Sequence, residues 1–508
     1  MADGAFPVAQ ATIEERQLLK SLRWYDGFVI ALCNPGFLIG SLGFTLGTVG
    51  VEGSILLWGI SAVIGLLQTW IYTESAAMFP DKTGGISLYA YEGWRKYFSL
   101  FGPIGAFGYW IGWSVVLSIF GNLIGGLITA QWFPGSKPGG TGPGYFSTGP
   151  VNIGLPQLIG VGLVVSVWLF NIFGVRPSLW VGRITGALLM IPLAVFIVVP
   201  YFSGDWHSSK VSYLHVQGHS DFSVAIVWLF ILGWSSYAAE VCATFAPEFH
   251  DTKRDTALAL RSSALFTLVV FLLLPLGLGG VTGAPGSSVA YGPFYVTAFK
   301  TIVGPGFGGV ALVLLIAALV LSMNSSTADG GRALYGIARD GMTVKQLHHL
   351  NKFNVPARAM SVDMVVNVLL ILFVANNLAI LYMSNIGYVL AHVLALSGFV
   401  LLRKDRPNWP RPIKVGPAWV VASALLAALN LFFLIFAVSN GALAALLGGY
   451  TFSGYPLYIG IGVLIAAVLL YFYRRAVQDR MPISFRDHDV PTMPNAEQMA
   501  LLRQEGVT

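Results

Sequence analysis

Glu240 is an acidic side chain inside a mostly apolar stretch at residues 224–248. A carboxylate at membrane depth costs about 2.5–3.5 kcal/mol on insertion scales, so such a residue is expected to line a polar cavity. Trp234 and Tyr237 precede it and could close over a ligand by packing or by a cation–π contact. The pattern predicts an interrupted helix that binds a small solute, and Glu240 is a candidate for proton coupling.

The polar and small residues before Glu240 predict unwound backbone, whose carbonyl groups would form a negative end suited to an ammonium group. The candidate binding residues of this stretch are Trp234, Ser235, Ser236, Tyr237, Ala238 and Glu240. In the alternative interpretation, the aromatic residues only pack and Glu240 hydrogen-bonds a neighbouring helix.

A second interruption is predicted within residues 32–43, where Pro35 removes a backbone donor and disfavours helix at the preceding residue. Amides freed at the start of the resumed half-helix would hold a substrate carboxylate at its positive dipole end. The candidate residues are Asn34, Gly36, Phe37, Gly40 and Ser41. A proline kink with glycine packing is the alternative explanation.

The composition indicates that both interruptions lie within membrane-spanning helices. Of the 508 residues, 55% are hydrophobic and 10% are charged, whereas soluble proteins carry about 25% charged residues. Segments of about 18–25 apolar residues predict an all-α membrane protein with twelve transmembrane helices. The segments are centred near Leu32, Leu67, Ser114, Val161, Met190, Leu232, Phe271, Leu315, Leu369, Leu390, Leu425 and Leu464.

Basic residues fall almost entirely in the connections that share one side of the membrane when the N-terminus is inside. The exceptions are Lys137, Lys210 and Lys300. This bias predicts cytosolic N- and C-termini in the cytoplasmic membrane. It also accounts for the pI near 9.1 without nucleic acid, since the charges lie beside anionic lipid. The two cysteines fall inside predicted spans and indicate neither a disulfide framework nor a metal site.

The two interruptions lie in the first and sixth spans, so each begins a run of five helices. A second copy that starts after five spans is inverted relative to the first, which predicts a 5+5 inverted repeat. The predicted parts are a cytosolic segment at 1–23, a transport core at 24–402 with repeats at about 24–201 and 222–402, helices 11 and 12 at 403–474, and a cytosolic tail at 475–508. The tail is expected to be flexible, and the Gly- and Pro-rich connection at 131–152 to be irregular.

Several further polar residues are weaker candidates. In the third, eighth and tenth spans these are Trp110, Trp113, Asn122, Asn324, Ser325, Ser326 and His392, for which ordinary packing or hydrogen bonding is the alternative. His207, His215 and His219 share a loop but lack the spacing typical of a metal site, so solvated histidines are favoured. Glu74, Glu248, Arg332 and Arg339 are candidates for gate ion pairs at the cytoplasmic helix ends.

Four stretches resemble signature elements of amino acid–polyamine–organocation (APC) superfamily permeases. They are residues 74–91 (ESAAMFPDKTGGISLYAY), 247–260 (PEFHDTKRDTALAL), 325–341 (SSTADGGRALYGIARDG) and 401–415 (LLRKDRPNWPRPIKV). The resemblance implies the inverted-repeat fold with helices one and six interrupted, and a secondary transporter of amino acids, polyamines or related organic cations. It aligns Ala238, Ala239 and Glu240 with a small–aromatic–acid triplet of the family.

The resemblance leaves the coupling open. Many members carry a lysine late in the fifth helix, and residues 185–197 contain none. The absence favours an exchanger or a uniporter over a symporter, and it leaves the coupling ion, a proton or sodium, undetermined. The expected partners are a small amino acid or amine and the lipid bilayer, with no cofactor and no enzymatic activity. A permease of the same fold for a nucleobase or organic cation is the alternative, followed by a channel or membrane enzyme.

Overall fold

The chain is described by a computed structural model for residues 18, 20–133, 146–148, 151–285, 293–374, 376–451 and 454–504. Most of the predicted cytosolic segment at 1–23 lies outside the described residues, as does the end of the tail at 505–508. The described part is almost entirely helical. Within it, ten helices are long and apolar enough to cross a membrane.

The helices are numbered in chain order. The first nine are α1 (Trp24–Ala31), α2 (Asn34–Ile39), α3 (Leu42–Met78), α4 (Gly85–Trp94), α5 (Phe101–Ser114), α6 (Val116–Trp132), α7 (Leu155–Ile172), α8 (Val175–Ile197) and α9 (Pro200–Ser203). The others are α10 (Asp221–Ser236), α11 (Thr252–Thr282), α12 (Pro293–Val303), α13 (Gly308–Arg339), α14 (Ala357–Phe373), α15 (Asn377–Asp405), α16 (Ala418–Ser439), α17 (Gly441–Leu447), α18 (Tyr455–Tyr473) and α19 (Ala496–Gln504).

Two predicted spans have a different form from the ten long helices. The ninth is α14, which has 17 residues. The first consists of α1, α2 and the beginning of α3, which is interrupted at Gly50 by a backbone with φ 72° and ψ −175°. The first span is therefore interrupted, and the chain changes direction into the second span at Gly50.

The connection at 131–152 is not wholly irregular. β1 (Phe146–Thr148) and β2 (Val151–Ile153) pair antiparallel, with Phe146 opposite Ile153. Residues 134–145 and 149–150 of this connection lie outside the described residues. Thr148, Val151 and Ile153 of the two strands are β-branched and favour strands, a local signal that the prediction of an irregular loop overlooked.

A close contact between α15 and α5 organises the centre of the bundle. A Cβ atom on Gly108 would lie 2.4 Å from the carbonyl oxygen of Gly387, so the two backbones touch. Small residues permit such an approach in membrane bundles. One residue further along α15, Tyr388 lies against Gly112 of α5. The contact thus brings side chains of α15 to the middle of the molecule.

At one end of the bundle, the loop between α9 and α10 is bonded to two helices. The Leu214 amide donates to the Val49 carbonyl at 3.0 Å, and the Glu52 amide donates to the Ser212 carbonyl at 3.1 Å. The Trp206 indole donates to the Leu276 carbonyl of α11 at 3.1 Å. The loop therefore ties the kink in α3 to the end of α11.

The opposite end, here called the charged end, holds most of the buried ion pairs and the C-terminal tail. The Ser99 amide donates to the Phe485 carbonyl at 2.8 Å. The Phe485 ring stacks on Phe98 at 6.3 Å, and Leu502 of α19 is 0% exposed. The described part of the tail, which was expected to be flexible, instead lies against the bundle through apolar contacts that its mainly polar composition concealed.

Candidate functional site

The sixth predicted span is interrupted by a change of helix type. α10 ends at Ser236, Tyr237 is its C-cap, and Ala238–Glu248 continues as a 3₁₀ helix. Residues 233–236, predicted to be unwound, are α-helical, so that part of the prediction is wrong. The Ser236 hydroxyl donates to the Leu232 carbonyl at 2.9 Å within this last α-helical turn. The 3₁₀ segment is narrower than an α-helix and leaves a different set of backbone groups to be bonded from outside.

The first span contains two turns, at residues 32–33 and at Gly40 and Ser41, on either side of α2. The Gly40 amide donates to the Phe37 carbonyl and the Ser41 amide to the Leu38 carbonyl, both at 3.1 Å. These turn amides, expected to be free for a substrate carboxylate, are bonded within the chain. A carboxylate could bind here only after the second turn opens.

Asn34 joins the two interrupted helices. With its amide oriented so that oxygen faces donors, it accepts from the Ala239 amide at 2.8 Å and from the Thr267 hydroxyl at 3.0 Å. Its nitrogen donates to the Ala238 carbonyl at 3.2 Å. The side chain is fully buried. Asn34 thus bonds backbone groups at the start of the 3₁₀ segment that a continuous α-helix would have paired itself.

Aromatic side chains from the two interruptions close over each other. Phe37 stacks on Trp234 with ring centroids 4.8 Å apart and an interplanar angle of 20°. The Trp234 indole donates to the Gly112 carbonyl at 2.8 Å, and the Ser235 hydroxyl to the Phe37 carbonyl at 3.2 Å. Among the described residues, the buried Ser41 hydroxyl has no hydrogen-bond partner. The predicted residues do meet, in a closed arrangement.

The backbone of the first span is also bonded to α13. A Cβ atom on Gly36 would lie 2.2 Å from the Ser322 hydroxyl, which donates to the Cys33 carbonyl at 2.9 Å. Ser325 donates to the Ile30 carbonyl at 3.0 Å. Gly36 is therefore required by packing in this arrangement, and two carbonyls beside the first turn are bonded by hydroxyl groups.

Glu240 is fully buried, and its hydrogen-bond donors are neutral. Tyr388 donates to Oε1 at 2.7 Å and the Trp113 indole at 3.4 Å. The Nε2 atom of His392 lies 3.8 Å from the same oxygen. The Tyr237 ring packs 5.2 Å from the His392 ring. A carboxylate held only by neutral groups in a buried site is suited to exchange a proton or an ammonium ion, either of which would neutralise it.

Two further buried carboxylates, Asp329 on α13 and Asp363 on α14, were missed by the sequence analysis. The Tyr109 hydroxyl donates to Asp329 at 3.2 Å, and the Trp110 indole donates to Asp363 at 3.1 Å. Both acids are 0% exposed. Asp363 lies in the ninth predicted span and meets the criterion that singled out Glu240, an acid within an apolar helix, whereas Asp329 adjoins residues that were assigned to a connection. The central acids are Glu240, Asp329 and Asp363.

Asn324 does not join the Trp234 site. It lies in an open cleft of about 410 Å³ that is also lined by Arg332. Its oxygen accepts from Asn171 at 3.0 Å and from the Ser178 hydroxyl at 3.2 Å, and its nitrogen donates to the Ser178 carbonyl at 3.0 Å. Asn324 therefore links three helices beside the cleft.

The predicted gate residues are only partly brought together. Arg332 and Glu248 form a buried bidentate pair, with Nε–Oε1 at 2.5 Å and Nη2–Oε2 at 3.0 Å. Glu74 and Glu248 were alternative expected partners of Arg332 and Arg339, and Glu74 pairs with neither of these arginines. It pairs instead with Arg403 at 2.5 Å and with Arg411 at 2.9 Å. Arg403 lies in the last turn of α15, and Arg411 lies in the connection that follows it.

Arg339, the other expected partner, is exposed and donates to the Asp81 carbonyl at 3.1 Å. On the loop between α9 and α10, His215 pairs with Asp221 at 3.0 Å. Across the described ranges, no three His, Cys, Asp or Glu side chains form a group that could hold a metal ion.

A second ion-pair network at the charged end surrounds Glu92 of α4. Lys82 lies 2.7 Å away, Arg406 2.6 Å and Arg95 3.3 Å. Lys82 also pairs with Asp340 at 2.7 Å. Burial would raise the pKa of Glu92, but the three cations outweigh it and hold that pKa well below its usual range. Glu92 is therefore charged and paired at neutral pH.

These features define a multi-pass membrane protein in which two interrupted helices meet beside buried acids. A family model described as "Amino acid permease" matches residues 22–464, and the chain belongs to this family. The family resemblance read from the sequence is thereby confirmed, and it places the protein in a family of amino acid transporters.

Two curated relatives are similar to this chain. An uncharacterized amino acid permease of Bacillus subtilis (strain 168), YvbW, is 26% identical over 342 residues, which cover 63% of this chain and 72% of the relative. The arginine/agmatine antiporter of Chlamydia abortus (strain DSM 27085 / S26/3) is 29% identical over 161 residues, or 30% of this chain and 28% of the antiporter.

Proposed function

We propose that this permease carries an amino acid or a related amine across the cytoplasmic membrane by alternating access. The observation that carries the proposal is the contact of two interrupted helices through Asn34, beside a buried carboxylate with only neutral donors. In this proposal twelve helices cross the membrane, and ten of them form the 5+5 inverted repeat at about 24–201 and 222–402. The charged end faces the cytosol, because basic residues concentrate there.

The substrate amine binds at Glu240, where its ammonium group would supply a positive charge to a carboxylate whose hydrogen-bond donors are neutral. The substrate carboxylate binds at the second turn of the first span, near Ser41, whose buried hydroxyl is a free donor among the described residues. Trp234 and Phe37 must separate to admit the substrate, so their stacked rings act as one gate of the binding site. The partial similarity to an arginine/agmatine antiporter supports a substrate with an amine.

The Arg332–Glu248 pair is the proposed gate toward the cytosol. It lies beside the cleft of about 410 Å³, between α13 and the end of the 3₁₀ segment. Opening this side requires the two side chains to separate, which is costly in a buried site unless each finds a new partner. The pair therefore favours the closed arrangement until substrate binding shifts the balance.

A thermal-shift screen of the purified protein against amino acids, polyamines and nucleobases tests the substrate class, since a bound ligand stabilises by mass action. We expect stabilisation by amino acids or polyamines, which should also compete for uptake in proteoliposomes. Stabilisation and competition by nucleobases alone would show that the substrate is a nucleobase and not an amino acid or amine. Single-channel currents in planar bilayers would show that the protein is a channel and does not work by alternating access.

A pair of variants tests the site. Glu240→Gln should reduce uptake or change its pH dependence, because the amide cannot neutralise an ammonium group or take up a proton. Glu52→Gln, at an exposed position on α3, is the matched control and should behave like the wild type. Uptake and binding by Glu240→Gln that match the wild type at every pH would remove Glu240 from the site.

A further inference from the structure

His392 of α15 and Glu240 of the 3₁₀ segment face each other in the middle of the bundle. The Nε2 atom of His392 lies 3.8 Å from Oε1 of Glu240, and both side chains are 0% exposed. The other ring nitrogen, Nδ1, lies 2.9 Å from the Tyr72 hydroxyl. Among the described residues, neither Nε2 of His392 nor Oε2 of Glu240 has a hydrogen-bond partner.

The hydrogen bond to Tyr72 leaves two arrangements for the ring. If Tyr72 donates to Nδ1, the proton of the neutral ring is on Nε2 and points toward Glu240. If Nδ1 donates to Tyr72, Nε2 is an acceptor for a protonated Glu240. The second arrangement holds one proton more than the first. That additional proton can be on Glu240, or on Nε2 as an imidazolium beside the Glu240 carboxylate, and its transfer between the two changes only O–H and N–H bonds.

The other titratable groups near Glu240 differ from the histidine, because none of them becomes positively charged when it binds a proton. They are phenols, thiols and one acid: Tyr72, Tyr89, Tyr109, Tyr237, Tyr388, Cys33, Cys242 and Asp329. In the described part of the chain, no lysine or arginine lies within ion-pair distance of Glu240. His392 is thus the group that can supply a cation to this carboxylate.

The two groups belong to different parts of the bundle. α15 touches α5 backbone to backbone at Gly108 and Gly387, which makes it part of a tightly packed scaffold. Glu240 belongs to the 3₁₀ segment, whose first backbone groups depend on a side chain of another helix. A proton held between them therefore lies across the boundary between the scaffold and an interrupted helix.

We propose that Glu240 and His392 form one proton-binding unit, in which a bound proton and the substrate's ammonium group compete for the same carboxylate. This inference rests on the proposed function. Binding of the ammonium group places a second positive charge beside the ring, so His392 releases its proton. By linkage, a proton on the pair weakens substrate binding to the same degree. The pair would thus exchange a proton for a cationic amine.

Nuclear magnetic resonance of ¹⁵N-histidine-labelled protein in lipid bilayers tests the pair without a substrate. The His392→Gln variant identifies the His392 signals by their loss. In the wild type these signals should report coupled titration of two groups, and Glu240→Gln should reduce it to a single step. His392 signals that are the same in wild type and Glu240→Gln at every pH would overturn the proposal.

Transport in proteoliposomes provides the second test, with a tritiated mixture of the protein amino acids and, separately, tritiated putrescine as probes. His392→Gln should lower accumulation driven by an imposed pH gradient by about tenfold, within the usual range of coupling between sites. Counterflow without a gradient should persist. The control His219→Gln, at an exposed loop position, should keep both activities.

The outcomes separate the two proposals. Gradient-driven accumulation by His392→Gln equal to the wild type would overturn the proton-binding unit and leave the transport function standing. Absence of both accumulation and counterflow in the wild type would contradict the proposed function, and the resonance experiment would still decide whether the pair shares a proton.

Discussion

The molecule contains two sets of buried carboxylates that differ in their partners. The central acids are held by tyrosine hydroxyls and tryptophan indoles. The acids of the charged end, Glu74, Glu92 and Glu248, are equally buried but contact arginine or lysine. Burial alone does not decide what an acid does. A paired carboxylate keeps its charge and fixes the shape of its surroundings, whereas one with neutral donors can gain or lose charge.

Removal of a cation from the charged end should have the largest effect. Arg332→Ala leaves Glu248 as a buried charge without its partner, which costs about 3–5 kcal/mol. The exposed Arg339→Ala on the same helix is the control and should cost less than about 1 kcal/mol. The free energy of unfolding in mixed micelles measures both. Equal losses would mean that the acids of this end do not depend on their cations.

Removal of a neutral donor from the centre should have an intermediate effect. Tyr388→Phe deprives buried Glu240 of its shorter hydrogen bond, which costs about 1–3 kcal/mol. Tyr382→Phe loses a bond to the Ala437 carbonyl and should cost less, because a hydrogen bond to a carboxyl group that can be charged is stronger than one to a neutral carbonyl. The same unfolding measurement compares the two variants, and equal losses would contradict a special role for the bond to Glu240.

The stability that Glu92 contributes at the charged end should depend on pH only under acidic conditions. The folded-state pKa of Glu92 is lower than the unfolded value of about 4.3, so its stabilisation is present above that value and is lost as the pH falls through the folded-state pKa. The stability difference between wild type and Glu92→Gln should therefore be constant between about pH 5 and pH 8 and should shrink below about pH 4. Thermal unfolding followed by tryptophan fluorescence measures it. A difference that varies near neutral pH would contradict the contrast with the central acids.

The smallest effect is expected where an ion pair of the charged end meets solvent. Arg95 and Asp487 lie 2.8 Å apart with side chains 19% and 27% exposed. Asp487→Asn should cost about 0.2–1 kcal/mol, as do other partly exposed pairs. The exposed Asp489→Asn serves as the control in the same unfolding assay and should match the wild type. A loss as large as that of Arg332→Ala would show that the stability contributed by these ion pairs does not increase with their burial.

The existence of both interruptions was predictable, and their form was not. Pro35 disfavours helix locally, and an acid within an apolar helix needs a polar environment, so both signals are present in short stretches of sequence. The first backbone groups of the 3₁₀ segment Ala238–Glu248 are bonded by Asn34, about two hundred residues earlier in the chain. No local pattern records such a contact.

The central acid Asp329 was missed by the sequence analysis for a related reason. Asp329 precedes the basic residues of α13, which were assigned to a connection, so its depth in the bundle was underestimated. α13 in fact extends to Arg339. Likewise, Glu74 pairs with Arg403, 329 residues away, and charge alone could not select this arginine from several candidates. Helix ends and long-range partners are set by packing rather than by composition.

The position of the tail has a consequence for biogenesis. The segments that complete the charged end are synthesised after the helices against which they lie: Phe485 accepts from Ser99, and Gln498 donates to Asp81 at 3.0 Å. A chain emerging from the ribosome forms its early helices while their final contacts do not yet exist. The charged end can therefore be completed only after every membrane helix has been made, which separates insertion of the bundle from the closing of its last surface.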